Sequence, residues 1–270
     1  MSDLNLKNIV VSIDPLEKTQ YSLNRAMKMN DVLEGGVNIH LFISLEMDKL
    51  HKMHDRYDFS CDGDWFNEMT KPMADAGVKF TSEVIWTDAW HRSINAACEK
   101  YDADLVIVSD YATEDGRTDL TPSKWALLRS SKCPVMIVHP NTNMERNNIL
   151  AAVNMQTDNP RYAELNDKIL SYSALLADKY SAEKHLVNGY EDGMEYPDRA
   201  KLIKETDTKQ ENIHVKQGGP RAIISETAKE IDADIVVIGT LARRGVMAAM
   251  KGNKSERIIR ELSCDVMVLN

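Results

Sequence analysis

A chain of 270 residues can form one large domain or two of about 135 residues each. Apolar residues make up 43% and charged residues 28%, which is typical of a globular protein with a buried core and excludes extensive disorder. The formal net charge of -9 argues against a nucleic-acid-binding surface, and no window approaches the run of about 20 apolar residues that spans a bilayer. The first residues lack a basic region leading into an apolar stretch, so we expect a cytoplasmic protein whose partners are small molecules or other proteins.

Short apolar runs in the first half predict strands of a parallel sheet that is buried on both faces, with helices between them. The predicted strands are residues 8–14, 38–44, 79–86, 104–109 and 135–138. Thr121-Pro122 predicts the start of a helix, with Thr as the N-cap and Pro at the first helical position.

The segment 46–77, after the second strand, contains two clusters that invite a ligand. The first is interpreted as a solvated helix and loop rather than a metal site, and consists of His51, His54, Asp55, Asp58 and Cys61. The second is interpreted as gap-filling core, and consists of Met47, Met53, Met69 and Met73. The alternative for these methionines is a cleft that encloses an apolar or lipid-like ligand.

The second half begins after residues 139–147, a polar stretch with a proline and no periodicity that is typical of a linker. Its predicted strands are residues 148–154, 184–189, 213–217, 234–239 and 265–269. The stretch 191–212 is short and polar, so we expect the second helix of this half to be reduced.

The two halves are internal repeats of one another. Residues 88–109 align without a gap on 218–239, and both segments run from a helical pattern through Asp-Ala-Asp into a β-branched strand. Residues 127–138 align on 258–269, which places Cys133 on Cys264, and residues 8–14 align on 148–154. Three anchors in the same order predict two copies of one α/β domain.

The sequence carries no recognisable catalytic or metal-binding signature. The cysteines occur singly, without CxxC pairs, and indicate neither a disulfide framework nor a zinc site. No G-x-S-x-G, HExxH or Walker A motif is present, and the histidines are scattered, with His40 and His185 expected on the second strand of each half. We therefore expect a protein that is not an enzyme and that requires no cofactor.

Three segments, NIVVSIDP, the Asp-Ala-Asp strand and the closing CPVMIV, resemble the universal stress protein family. LTPSKWALLRSSKCPV and VNMQTDNPRYAELNDKIL are similar to the tandem E-type members. The resemblance implies two tandem Rossmann-like, adenine nucleotide α-hydrolase-like domains, each a five-stranded parallel sheet, at residues 1–142 and 146–270. It also implies that the halves are related by a pseudo-twofold axis as an intramolecular pseudo-dimer, with further dimerisation left open.

Members of this family that bind ATP carry an Asp after strand one and, after strand four, a loop of Gly, two residues, Gly, nine residues, Gly and Ser or Thr. Glycines let backbone amides approach phosphates, and a helix N-terminus favours anions. The first half has Asp14 but carries Ser109 at the first glycine position. Acidic residues follow it (Glu114, Asp115 and Asp119), so ATP is not expected in this half.

The second half retains part of that pattern. Asn154 replaces the aspartate, Ala242 the second glycine and Asn253 the Ser or Thr, while Gly239 and Gly252 are in place. Between Thr240 and Lys254 the chain carries no acidic residue and four basic ones, Arg243, Arg244, Lys251 and Lys254. This segment is predicted to bind an anion or a nucleotide, against the alternative that Asn253 and Glu256 form a capping pair and the basic side chains are simply exposed.

The sequence thus favours a non-enzymatic role in bacterial-type stress adaptation through ligand or partner binding. The alternative is an ATP or AMP sensor with a degenerate site in the C-terminal half. A slow nucleotide hydrolase is disfavoured, since no general base or metal ligand set can be named.

Overall fold

The computed structural model describes residues 4–46, 62–110, 120–140, 142–157, 159–240 and 254–270. The chain divides into two compact units. The N-terminal unit is built from Asn5–Asp110 and Thr121–Pro140, and the C-terminal unit is built mainly from the residues after 141. Each unit is an α/β layer structure that contains five parallel strands.

In the N-terminal unit, parallel strands alternate with helices. The elements are β1 (Asn8–Ile13), α1 (Tyr21–Val32), β2 (Asn38–Glu46), α2 (Gly63–Asp75), β3 (Phe80–Thr87), α3 (Trp90–Lys100), β4 (Leu105–Ser109), α4 (Pro122–Ser130) and β5 (Val135–Val138). The strand order across the sheet is β3-β2-β1-β4-β5, and all pairs are parallel.

The C-terminal unit repeats this arrangement with a longer first helix. The elements are β6 (Asn148–Val153), α5 (Pro160–Tyr180), β7 (Glu183–Tyr190), a 3-10 turn (Gly193–Glu195), α6 (Arg199–Thr206), a second 3-10 turn (Gln210–Asn212), β8 (Ile213–Gln217), α7 (Pro220–Glu230), β9 (Ile235–Gly239), α8 (Lys254–Ile259) and β10 (Asp265–Leu269). The order is β8-β7-β6-β9-β10, again with parallel pairs.

The predicted fold class and strands are confirmed. Strands β4, β5 and β10 are buried along their whole length, as expected of a sheet covered by helices on both faces. The expected reduction of the second helix is also found, because α6 has 8 residues where α2 has 13. In each unit the strand order reverses between strands one and four, where ligands bind in open α/β sheets.

The repeated Asp-Ala-Asp sequence has a structural explanation. Asp102 and Asp232 take positive φ angles of 47° and 50° just after a helix ends. The Asp104 carboxylate accepts hydrogen bonds from the backbone N–H groups of Lys7 and Asn8, at 2.8 and 2.9 Å. Asp234 does the same at the start of β6, so this motif joins strand four to strand one in both units.

The helix start at Thr121-Pro122 is confirmed. Thr121 Oγ1 accepts a hydrogen bond from Lys124 N at 3.3 Å, and Pro122 is the first residue of α4. The same device begins α5, where Asn159 Oδ1 accepts from Arg161 N at 3.0 Å and Pro160 follows. An N-cap with Pro at the next position satisfies an exposed amide and fixes φ for the first turn.

The predicted polar linker is only partly a linker. Arg146 lies inside the C-terminal unit with a side-chain exposure of 0%, and its Nη2 donates to Asp265 Oδ2 at 2.9 Å. Thr142 Oγ1 donates to Asp265 Oδ1 at 2.9 Å. The stretch is polar, as predicted for a linker, but the charged side chain of Arg146 is buried and paired at the start of β10.

Candidate functional site

The structure places two of the predicted binding residues at the same edge of the C-terminal sheet. Asn154 directly follows β6, and Gly239 is the last residue of β9. β6 and β9 are paired with Ala152 opposite Ile238, so their carboxyl ends lie side by side. Five of the other predicted residues lie outside the described residues: Ala242, Arg243, Arg244, Gly252 and Asn253. Lys254 is described only as the first backbone position of α8.

The backbone of Asn154 is held by a side chain from α5. Asn166 Oδ1 accepts from Asn154 N at 3.1 Å, and Asn166 Nδ2 donates to the Asn154 carbonyl at 2.7 Å. In the N-terminal unit, Gln20 makes the same two bonds to Asp14, at 3.3 and 2.7 Å. A buried side-chain amide therefore closes the end of strand one in both units.

Gly239 is required by helix packing. A Cβ atom at this position would overlap the side chain of Leu165, which lies on α5 and is 5% exposed. The corresponding position in the N-terminal unit is Ser109, whose hydroxyl accepts from Ser22 N at 2.8 Å. At both strand ends, a side chain or backbone group of the first helix occupies the space next to strand four.

A second polar cluster fixes the loop that follows β6. Asn188, on β7, is fully buried; its Oδ1 accepts from Met155 N at 2.9 Å and its Nδ2 donates to Gln156 Oε1 at 2.8 Å. Gln156 Nε2 in turn donates to the carbonyls of Gly189 and Glu195, at 2.9 and 3.2 Å. These four hydrogen bonds connect the β6–α5 loop to the end of β7 and to the 3-10 turn beyond it.

Beside this cluster is a hollow of about 390 Å³, which we call the β7–α6 hollow. Its lining combines thioethers, an aromatic ring and charged side chains, from Met155, Gln156, Met194, Glu195, Tyr196, Pro197, Asp198, Lys201 and Leu202. The loop composition gave no signal for it in the sequence, since residues 191–212 read only as a short polar stretch.

Several groups of the hollow are already engaged within the protein. Asp198 Oδ1 caps α6 by accepting from the backbone N–H groups of Ala200 and Lys201, at 2.9 and 3.1 Å. The Tyr196 ring packs edge-on against Tyr190 with 5.2 Å between centroids, yet its residue remains 54% exposed. Met194 is 94% exposed. A lining that combines an exposed aromatic ring and thioether with polar side chains suits a small ligand that has both a flat apolar part and hydrogen-bonding groups.

In the N-terminal unit the predicted aspartate is used locally. Asp14 Oδ1 accepts from Leu16 N at 3.1 Å and so shapes the turn after β1. After β4, the buried Asp110 carboxylate lies 3.8 Å from Lys124 Nζ, at the start of α4. This unit therefore pairs a carboxylate and an ammonium group within the protein at the edge where a phosphate would bind.

Only part of the two clusters in segment 46–77 falls within the described residues. The cluster of His51, His54, Asp55, Asp58 and Cys61 lies outside the described residues, as do Met47 and Met53. Met73 is fully buried on α2, in agreement with a role in the core. Within the described ranges, no group of three or more His, Cys, Asp or Glu side chains could hold a metal ion.

His40 and His185 lie on the second strand of their units, as predicted. His40 Nδ1 is 2.8 Å from Thr81 Oγ1, and its ring stacks on Tyr101. His185 Nδ1 is 3.2 Å from His214 Nε2 on β8. Burial is the main cause that lowers the pKa of His185 and of His214, and for His214 the charge of His185 lowers it further.

This histidine pair predicts a pH-dependent stability. Glu183 opposes the lowered pKa of His185 and Glu230 that of His214, while the nearby cations Lys209, Lys216 and Arg199 reinforce the lowering. A histidine whose pKa is lowered in the folded state binds its proton more readily in the unfolded chain. Its contribution to the stability of the folded protein is therefore fully present above pH ~6.5 and is lost as the pH falls through the folded-state pKa. We expect the melting temperature to fall between pH 7.5 and 5.5, and to fall less in His214→Gln. Parallel curves for the two proteins would contradict this prediction.

Comparison with known proteins finds similarity to universal stress proteins. The family model described as "Universal stress protein family" matches residues 146–270. Universal stress protein E of Escherichia coli K12 is 29% identical in an alignment that covers 97% of this chain and 93% of that protein. The universal stress protein E homolog of Haemophilus influenzae is 26% identical, with 98% of this chain and 97% of that protein covered.

Solved structures give the same fold. A putative universal stress protein from Pseudomonas aeruginosa UCBPP-PA14 has a TM-score of 0.81 and 25% identity, covering 98% of this chain and 93% of that one. A universal stress protein from Archaeoglobus fulgidus has a TM-score of 0.67 and 18% identity, covering 97% and 98%. Across the described helices, none combines the length and apolar character needed to cross a bilayer.

Proposed function

The chain belongs to the universal stress protein family, and on that premise we propose that it acts in stress adaptation without catalysing a reaction, by binding a ligand or a partner protein through its C-terminal unit. The observation that carries this proposal is the contrast between the strand ends and the β7–α6 hollow. At the strand ends, Asn166 is hydrogen-bonded to the backbone of Asn154, and the side chain of Leu165 fills the space next to Gly239. The hollow beside them is open and presents the exposed side chains of Met194 and Tyr196.

The second candidate is an adenine nucleotide sensor with its degenerate site in the same unit. It is favoured by the position of the hollow at the carboxyl ends of β6 and β7, since Met155 and Gln156 follow β6 and Met194 follows β7. In this candidate the base of the nucleotide stacks on Tyr196. Its phosphates are bound by the basic segment predicted from the sequence, which contains Arg243, Arg244 and Lys254. Asn154 in place of an aspartate removes one carboxylate that could bind a ribose or a base.

Calorimetric titration with AMP and with ATP plus magnesium, followed by chromatography of the recovered nucleotide, tests both candidates. We expect the nucleotide to be recovered intact. ADP release that exceeds the buffer blank and is abolished in Tyr196→Ala would overturn the non-enzymatic role.

Three variants locate any binding. Tyr196→Ala removes the exposed ring of the hollow, Gly252→Asp adds a negative charge to the basic segment, and Trp86→Ala is a control, because Trp86 is an exposed aromatic residue, 64% exposed, in the other unit. Binding of AMP that is lost in Tyr196→Ala and kept in Trp86→Ala would establish the sensor. If neither nucleotide gives heat or a thermal shift, the nucleotide sensor is excluded. The hollow would then bind a different ligand or a partner protein.

A further inference from the structure

Two cysteines that are 35 positions apart in sequence meet in the N-terminal unit. Cys98 lies on α3, and Cys133 lies between α4 and β5. Two contacts on either side bind the same segments together: Asn95 Nδ2 donates to Ser130 Oγ at 2.8 Å, and Lys132 Nζ donates to Glu99 Oε1 at 2.6 Å. The Cys98 and Cys133 thiols are near enough for each to affect the ionisation of the other. Both cysteines are reduced, and the pairing could not be seen from the sequence, where they stand alone.

The environment makes the two thiols unequal. Cys98 is 8% exposed, whereas Cys133 is half-buried and therefore more accessible from solvent. Ser131 Oγ lies 3.6 Å from Cys133 Sγ. The interaction with Cys98, assisted by Ser131 and opposed by burial, lowers the pKa of Cys133, while the interaction with Cys133 and burial raise the pKa of Cys98. Cys133 is thus the nucleophile of the pair, and Cys98 is the second thiol, which can react with Cys133 once Cys133 is oxidised.

The second unit provides an internal control. Cys264 occupies the position of Cys133 in the repeat, but Ala228 occupies that of Cys98. Cys264 is buried, and burial is the main cause that raises its pKa to about 12. The same position in the same fold therefore carries a paired thiol in one unit and an isolated, inert thiol in the other.

We propose that Cys98 and Cys133 form a reversible dithiol–disulfide site that reacts with hydroperoxides. The Cys133 thiolate attacks one peroxide oxygen, an S–O bond forms, the O–O bond breaks, and the departing oxygen takes a proton to leave as water or an alcohol. The Cys98 sulfur then attacks the sulfenic sulfur, an S–S bond forms, the S–O bond breaks, and the hydroxide takes the Cys98 proton to leave as water. The two thiols are oxidised by two electrons and one hydroperoxide is reduced.

Peptide mapping of the full chain tests this site directly. The protein is treated with hydrogen peroxide, free thiols are blocked with iodoacetamide, and the chain is digested with trypsin without a reductant. We expect residues 93–100 and 133–146 to be recovered as one linked species, lighter than the sum of the two peptides by about 2 Da, and to separate after treatment with dithiothreitol. Recovery of both peptides fully alkylated, or of Cys133 oxidised without a link to Cys98, would overturn the proposal.

Alkylation rates give an independent readout in the unoxidised protein. At pH 7 we expect Cys133 to react at least roughly tenfold faster than Cys264, because reactivity follows the thiolate fraction and accessibility. In Cys98→Ala, which gives the N-terminal unit the residue found in the second unit, the midpoint of the Cys133 pH–rate profile should move upward. Cys264→Ser should leave the linked species unchanged. Equal rates at Cys133 and Cys264, or an unmoved midpoint, would contradict the assigned roles.

Discussion

Replacement of Arg146 by methionine is expected to lower the free energy of unfolding of the C-terminal unit by about 3–5 kcal/mol, the usual cost of breaking a buried ion pair by removing one partner. The side chains of Arg146 and Asp265 both have an exposure of 0%, with 2.9 Å between Nη2 and Oδ2. Methionine keeps most of the apolar stem of arginine, so the loss of stability reports the removal of the charge rather than the loss of packing. The Asp265 carboxylate would then keep its bond from Thr142 but lose the guanidinium that balances its charge.

The measurement is urea denaturation of the wild type, Arg146→Met, Asp265→Leu and the double variant. Removal of both charges should recover much of the loss, since a buried pair replaced by apolar residues is often close to neutral. Lys168→Met is the matched control, because Lys168 pairs with Glu164 while 44% exposed and should change stability by no more than about 0.5 kcal/mol. A similarly small change in Arg146→Met would show that the buried pair contributes little.

Burial of this arginine also shows where sequence reasoning fails. The bounds of β5 and β10 agree with the sequence prediction at every residue, because a short apolar run rich in valine and bounded by polar residues is typical of a buried parallel strand. Arg146 stands in a polar stretch, and its partner Asp265 is 119 positions away at the other end of the unit. No local pattern distinguishes a buried, paired arginine from an exposed one.

The candidate site was partly predictable because the strands that position it are predictable. The end of strand one and the end of strand four follow from the strand assignments, so Asn154 and Gly239 are found together. The residues that close these ends do not share a spacing: Gln20 follows Asp14 by 6 positions, while Asn166 follows Asn154 by 12. The longer α5 brings a different turn of helix over the strand end, and the repeat alignment does not contain this difference.

Gly239 shows how one motif position supports two interpretations. A glycine after strand four fits a loop that approaches phosphate, and it also fits a helix that packs too closely to leave room for a Cβ atom. The position of Leu165 shows that the second requirement is present here. A family pattern therefore identifies the position correctly without identifying the reason for the residue.

The second large change in stability is expected from the hydrogen-bonded cluster around Asn188. Asn188→Ala is expected to lower the free energy of unfolding by roughly 2 kcal/mol, because the Met155 N–H loses its acceptor and Gln156 Oε1 its donor in a partly buried loop. Gln156 also holds the carbonyls of Gly189 and Glu195, so the loss extends to the wall of the β7–α6 hollow. Stability and binding at the hollow should therefore change together.

Hydrogen exchange separates this effect from a general loss of stability. In Asn188→Ala, the amide of Met155 should lose protection by more than the global stability change accounts for, whereas strand amides of β9 should follow the global change alone. Asn188→Asp keeps the acceptor for Met155 N but loses the donor to Gln156 and places a carboxylate at a fully buried position. Asn38→Ala is the matched control, because Asn38 makes an exposed side-chain bond of 2.9 Å to Asn8 at the start of β2. If Met155 exchanges at the wild-type rate in Asn188→Ala, the amide network does not hold the loop, and the shape of the hollow must depend on α6 and its Asp198 cap instead.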